Sequence, residues 1–364
     1  MNGIALVFYV LMGIILFLFL FIVYRKTLMA ARLKKTKENR EIIKQKIESF
    51  LTGSKKNFKE GLEKFANDEL LKDKNYRSLV DGYLLDSLEQ KKIKNRDKLI
   101  SIAGRLDFAT ECLGQIRSNN PAVAAMGSRR AGLYRFKEAV DQMMSALDIM
   151  YSENQFEILM ALARIGDADA LQRAFEKIKS SVIINERAVI EILSSFPEGE
   201  EKIKLFRNMI HSDTDYLKVL FLKASDCEMV NNLIDDIKVV LQNGNKNIRA
   251  AAIKSLGALE KDAPADLLLH ALEDIDWEVR ALAARALGPV KNKKASMALY
   301  AALRDKQWWV RQNAANALTK QSNYEELFIL AAESGDEYTR DSIIFALENG
   351  VNPLLLRSIK IMGT

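Results

Sequence analysis

At 364 residues, with only five prolines and much Ala, Leu, Lys and Glu, the chain has room for two or three ordinary domains or for one extended helical array. Two cysteines (Cys112, Cys227) and two histidines (His211, His270), each pair far apart, exclude a disulfide framework and a His/Cys metal cluster, and the cysteines read as free thiols in a reducing compartment. The formal charge of +6 is uneven: residues 25–47 hold nine Lys or Arg against Glu38 and Glu41, so the rest of the chain sums to about −1, which argues against a nucleic-acid surface along its length.

Ile4 to Val23 contains neither a charged side chain nor a proline. Twenty residues at 1.5 Å rise span about 30 Å, the thickness of a bilayer's hydrocarbon layer. A cleaved signal peptide would carry its positive charge ahead of the apolar run, and here that charge lies wholly behind it. The pattern predicts a retained single-pass anchor over residues 1–24. Tyr24, Arg25 and Lys26 stand at the interface, and Arg32, Lys34 and Lys35 follow closely. Positive residues stay cytoplasmic, so the expected location is the cell's inner membrane, with the N-terminus outside and the rest of the chain in the cytoplasm.

Residues 25–53 read as a basic juxtamembrane helix, free of Gly and Pro until Gly53. Two readings are open: residues 25–47 contact an anionic lipid surface at about 1 kcal/mol per charge, or they form a solvated stalk. Ile43, Ile47, Phe50 and Leu51 make a short apolar seam that could receive a partner helix. Residues 54–95 are expected to form a helical linker, and Arg96 to Ser118 one long helix that caps an array over 96–364.

That array is read from a spacing of 31 residues. Val279 is followed by Leu282, Ala283, Ala286 and Leu287, the stripe of a helix with one buried face. Ile248 begins the same stripe one period earlier and Val310 one period later, while Ala124, Gln155, Glu186 (with Val189, Ile190, Leu193) and Leu217 extend it backwards. Thr339 follows two residues short of the period. Second helices are expected at Pro264–Leu272 and Ala295–Leu303. Eight units at near-constant period predict an all-α protein, a right-handed α-solenoid of about eight two-helix repeats.

The units beginning Asn247-Ile-Arg-Ala-Ala-Ala, Trp277-Glu-Val-Arg-Ala-Leu and Trp308-Trp-Val-Arg-Gln-Asn resemble HEAT repeats, most closely the short variety also found in bilin-lyase-like proteins. The resemblance is strong over about 245–350 and weaker back to about 120. It implies a binding scaffold rather than a catalyst, with motif residues that are structural.

A basic residue follows the anchor in six units: Arg187, Lys218, Arg249, Arg280, Arg311 and Arg340. Either these form a positive ridge for an acidic partner, or each pairs within the array with acids such as Asp274 and Asp305, which occupy equivalent positions. Trp277 and Trp308 share a repeat position and suit packing. Trp309 replaces Glu278 at a position expected to face outward, where it either packs against an adjacent loop or meets a partner; Trp309, Trp308, Trp277 and Arg311 are the partner-binding candidates, with second-helix residues as generic candidates for an inner surface. His211-Ser212-Asp213 resembles a triad only on paper, because neighbours in sequence do not converge. No phosphate loop, CxxC or nucleophile elbow appears, so neither an enzyme nor a bound cofactor is expected. The expected function is a membrane-anchored cytoplasmic scaffold for a partner protein, by analogy of layout a membrane enzyme complex of envelope polysaccharide synthesis. A nucleic-acid-binding solenoid and a lyase-like enzyme are the alternatives.

Overall fold

The apolar run and the basic stretch behind it form one uninterrupted helix, α1 (Asn2–Leu51), in a computed structural model that describes residues 2–90, 94–148, 152–178, 185–321 and 324–350. No proline interrupts it, and it ends where Gly53 and Ser54 follow, the Ser54 hydroxyl accepting the Asn57 N–H to start the next helix. The described apolar side chains between Leu11 and Val23 are all exposed. α1 is thus long and apolar enough to cross a membrane.

The chain divides into two units, Met1–Ala146 and Leu147–Thr364. In the first, α1 is followed by α2 (Lys55–Ala66), α3 (Lys74–Glu89), α4 (Arg96–Arg105), α5 (Phe108–Ile116), α6 (Pro121–Leu133) and α7 (Val140–Ala146). The seam of Ile43, Ile47, Phe50 and Leu51 is buried, and the chain's own α2 and α3 cover it instead of a partner helix. Phe50 meets Phe58 and Phe65 at ring distances of 6.1 and 5.9 Å. A side chain at Gly61 would place its Cβ 2.4 Å from that of Phe50, so only glycine admits this approach.

The single helix expected over 96–118 is two. Asp107 adopts the left-handed conformation (φ 53°), which a short polar side chain tolerates, and the chain turns there between α4 and α5. The Thr110 hydroxyl donates to the Asp107 carboxylate at 3.0 Å across the turn.

The second unit holds α8 (Ser152–Ile165), α9 (Ala168–Lys177), α10 (Glu186–Ser195), α11 (Glu200–Ile210), α12 (Asp215–Ala224), α13 (Cys227–Asn232), α14 (Ile234–Asn243), α15 (Lys246–Gly257), α16 (Ala265–Ala271), α17 (Trp277–Leu287), α18 (Lys293–Ala302), α19 (Trp308–Gln321), α20 (Tyr324–Glu333) and α21 (Glu337–Gly350). The repeats' first helices, α8, α10, α12, α15, α17, α19 and α21, pack each on the next; second helices pack likewise in α9–α11–α14 and α16–α18. Among the described residues there is no strand. This is the all-helical solenoid of paired helices that the spacing predicts, in which each pair buries a face it cannot shield alone.

Leu217, Ile248, Val279 and Val310 are buried, as anchors should be. Small residues between them set the pitch: a Cβ on Gly257 would lie 3.0 Å from that of Ala286 on the next first helix. In α10 the register differs from expectation. Ile192 is buried with Val189 and Leu193, whereas Ile190 is exposed.

Candidate interaction surface

The loops entering the first helices carry a repeated polar device. Arg249, on α15, donates from Nε and Nη2 to both oxygens of Asp274 (2.7 and 2.9 Å) and from Nη1 to the Gly244 carbonyl (2.8 Å). Arg280, on α17, does the same to Asp305 (2.7 and 3.0 Å) and to the carbonyls of Asp274 and Ile275. Each aspartate also accepts the N–H two residues on, from Asp276 and Gln307, both at 2.8 Å. Burial alone would raise the Asp274 and Asp305 carboxyls; the guanidinium and N–H bonds outweigh it and hold both below the usual carboxylate range. Each pair ties one repeat to the next. Of the two readings of the basic ridge, these positions take the structural one.

The next arginine breaks the pattern. Arg311, on α19, keeps the carbonyl bonds, from Nη1 to Asp305 (2.8 Å) and Lys306 (3.1 Å). It is only 8% exposed, its Nε has no hydrogen-bond partner, and no carboxylate among the described residues pairs with it. Instead the Tyr338 ring covers the guanidinium at 4.8 Å.

Around it lies the main exposed aromatic surface of the second unit. Trp308 and Trp309, at the start of α19, meet edge to face at 4.7 Å, and Trp308 meets Phe345 of α21 at 6.2 Å. All three stand well exposed, as does Tyr338. Trp308 and Trp309 therefore meet each other and Arg311 meets Tyr338, while Trp277 sits half-buried at the start of α17. Among the described side chains the concentration lies on first helices, and second helices show isolated exposed apolar residues such as Met297 and Ile329. Tyr338 and Phe345 were absent from the sequence-derived set. Their signal lies in the alignment of repeats: Phe345 stands six residues past its anchor, where Lys254, Arg285 and Asn316 stand in the three repeats before it.

In the first unit, α3, α5 and α6 line a groove of about 830 Å³. Arg130 faces Asp81 at 3.0 Å and Glu111 at 3.3 Å, Arg77 donates to Glu111 at 2.7 Å, and the Tyr134 hydroxyl donates to Asp81 at 2.6 Å. These charges pair with one another, although the Arg130 Nε, like that of Arg311, has no hydrogen-bond partner. Burial pushes the neighbouring Cys112 thiol up to about 12, so it is not a ready nucleophile.

Of the membrane-interface candidates, Tyr24 is exposed at the end of the apolar stretch, and Arg25, Lys26, Lys34 and Lys35 are exposed beyond it; Arg32 lies on the same helix. Lys46, further along, is committed to Asp68 at 2.6 Å.

Residues 265–348 match the family model of HEAT repeats. That stretch of the chain has the pattern of HEAT repeats. The match runs from α16 into α21 and so contains Arg280, Arg311 and the aromatic cluster. No curated protein is significantly similar. Among solved structures, the crystal structure of an engineered protein shares 18% identity, covering 79% of this chain and 88% of that one, at a TM-score of 0.33, too distant to bear on the packing above.

Proposed function

We propose that this HEAT-repeat protein is a membrane-anchored scaffold that presents the aromatic cluster of α19 and α21 to a partner protein on the cytoplasmic side. The observation that carries the reading is the exposure of Trp308, Trp309, Tyr338 and Phe345 together, around a buried arginine. Exposed aromatic groups beside Arg are the composition of interaction hot spots, because they bury much surface for little lost rotamer freedom.

The anchor's part is to confine the encounter to a plane and raise effective concentration. Its lipid contact is narrower than residues 25–47. On a continuous helix Lys44 stands about 30 Å beyond Tyr24, several screening lengths at physiological salt. Only Arg25, Lys26 and Arg32 lie within about 12 Å of Tyr24 along the axis, so the rest of the collar acts as a stalk. The partner is accordingly a membrane protein with a cytoplasmic part; an enzyme complex of envelope polysaccharide synthesis is the form that the layout suggests by analogy.

Affinity purification of the full chain in mild detergent tests this. A specific membrane partner should be recovered with the native chain and lost with the Trp308→Ala/Trp309→Ala variant, whose melting temperature stays near native because both indoles are surface groups. A partner retained by that variant, or lost only on replacing collar residues, would overturn the reading.

A further inference from the structure

The array contains a measure of what Arg311 lacks. In the two preceding rungs the acid stands five residues before the next anchor: Asp274 before Val279 and Asp305 before Val310. Five before Thr339 stands Ser334. It is the same structural position, since the Ser334 hydroxyl accepts the Asp336 N–H at 3.2 Å just as Asp274 and Asp305 accept theirs. A hydroxyl can make that turn bond but cannot supply the second oxygen and the charge that Nε and Nη2 meet in the other rungs. Asp336, the nearest acid in the loop, is spent on α21: it accepts the Thr339 N–H at 2.8 Å and its hydroxyl at 2.5 Å.

A guanidinium nine-tenths buried, with a bare Nε and nearby only the charge of Asp305, which is already bound to Arg280, is costly in a protein interior unless something neutralises it. Here the cover is a single ring, Tyr338, itself 65% exposed and so free to swing aside. Trp308 lies one turn before Arg311 on α19 and meets Phe345 of α21.

We propose that Arg311 is the receptor for a carboxylate of the partner: an Asp or Glu side chain flanked by apolar or aromatic groups, which displaces the Tyr338 ring and completes the third rung from outside. The carboxylate takes the Nε and Nη2 edge, as Asp274 does on Arg249, and the flanking apolar groups cover Trp308 and Trp309. This rests on the scaffold reading and adds what the partner must carry. An internal Asp at position 334 would close the site.

The probe is 3-phenylpropionate, against its amide, 3-phenylpropanamide, which matches it in shape and lacks the charge. The full chain in detergent, labelled with ¹⁵N-tryptophan, is titrated with each while the indole N–H signals of Trp277, Trp308 and Trp309 are followed. The acid should shift Trp308 and Trp309 saturably, at least tenfold more tightly than the amide, and leave Trp277 in place. Ser334→Asp, which supplies the missing acid internally, should cut the acid's affinity at least tenfold. Equal response to acid and amide would overturn the carboxylate receptor while leaving an apolar docking surface, and with it the scaffold reading, intact. No response to either, or an acid response unchanged in Ser334→Asp, would also overturn the inference. Partner recovery in the Trp308→Ala/Trp309→Ala purification judges the scaffold separately.

Discussion

The first helices α15 and α17 share their buried stripe with α19 and α21, yet the solvent side of the later pair is the more aromatic. On α15 and α17 the outward positions are Lys246, Lys254, Glu278 and Arg285, and Lys246 pairs with Glu278 at 2.9 Å from one repeat to the next. On α19 and α21 the corresponding places hold Trp308, Trp309, Asn316, Glu337, Tyr338 and Phe345, and α17 already carries Trp277 where Trp308 stands. Beneath them the arginine rung loses its acid. The buried stripe is fixed by packing and tolerates little change, so what varies between repeats is free to answer to something outside the chain.

That contrast can be broken at the rungs. Asp305→Ala should be the largest effect, about 3 kcal/mol of lost stability, because it strands the largely buried Arg280 and removes the Gln307 turn bond. Chemical denaturation of the full chain reads it. Arg311→Met should cost much less, since no carboxylate is left behind; equal losses would mean that the two rungs do not differ.

Acid comes next. Asp274 and Asp305 have folded pKa values below their unfolded ones, so the stability they contribute is fully present above the unfolded carboxylate value of about 4 and is lost as pH falls through the depressed folded values. The melting temperature should fall in that window, and Asp274→Asn/Asp305→Asn should flatten the slope there. An unchanged acid limb in the double variant would show that other carboxylates control it.

The smallest effect is a gain. Ser334→Asp should raise stability by about 1 kcal/mol, some 3 °C in a unit of this size, because a charged hydrogen bond replaces an unmet one. A loss instead would mean that the third rung has no room for an acid.

Much of the fold was legible because a buried stripe repeated at fixed spacing leaves few arrangements of helix pairs. The Trp308–Trp309 pair was legible for a related reason: within a repeat, a residue that departs from its equivalents stands out. Other features needed coordinates. Asp107 breaks the helix through a backbone choice that its apolar neighbours do not announce, and Ile190 lost its place in the core to Ile192 because both fit an apolar stripe. Asp81 and Tyr134 meet across 53 residues, a contact no periodicity encodes. Tyr338, Phe345 and Ser334 escaped because the last unit is two residues short, which hid their equivalence to residues of earlier repeats.

The central claim, that the aromatic surface of α19 and α21 docks a partner, is tested most directly by photo-crosslinking in native membranes. A benzophenone amino acid replaces Trp309 in one variant and Lys254, exposed on the earlier helix α15, in another. The account predicts one discrete protein adduct at 309 and none at 254; no adduct at 309, or the same adduct from both positions, would contradict it.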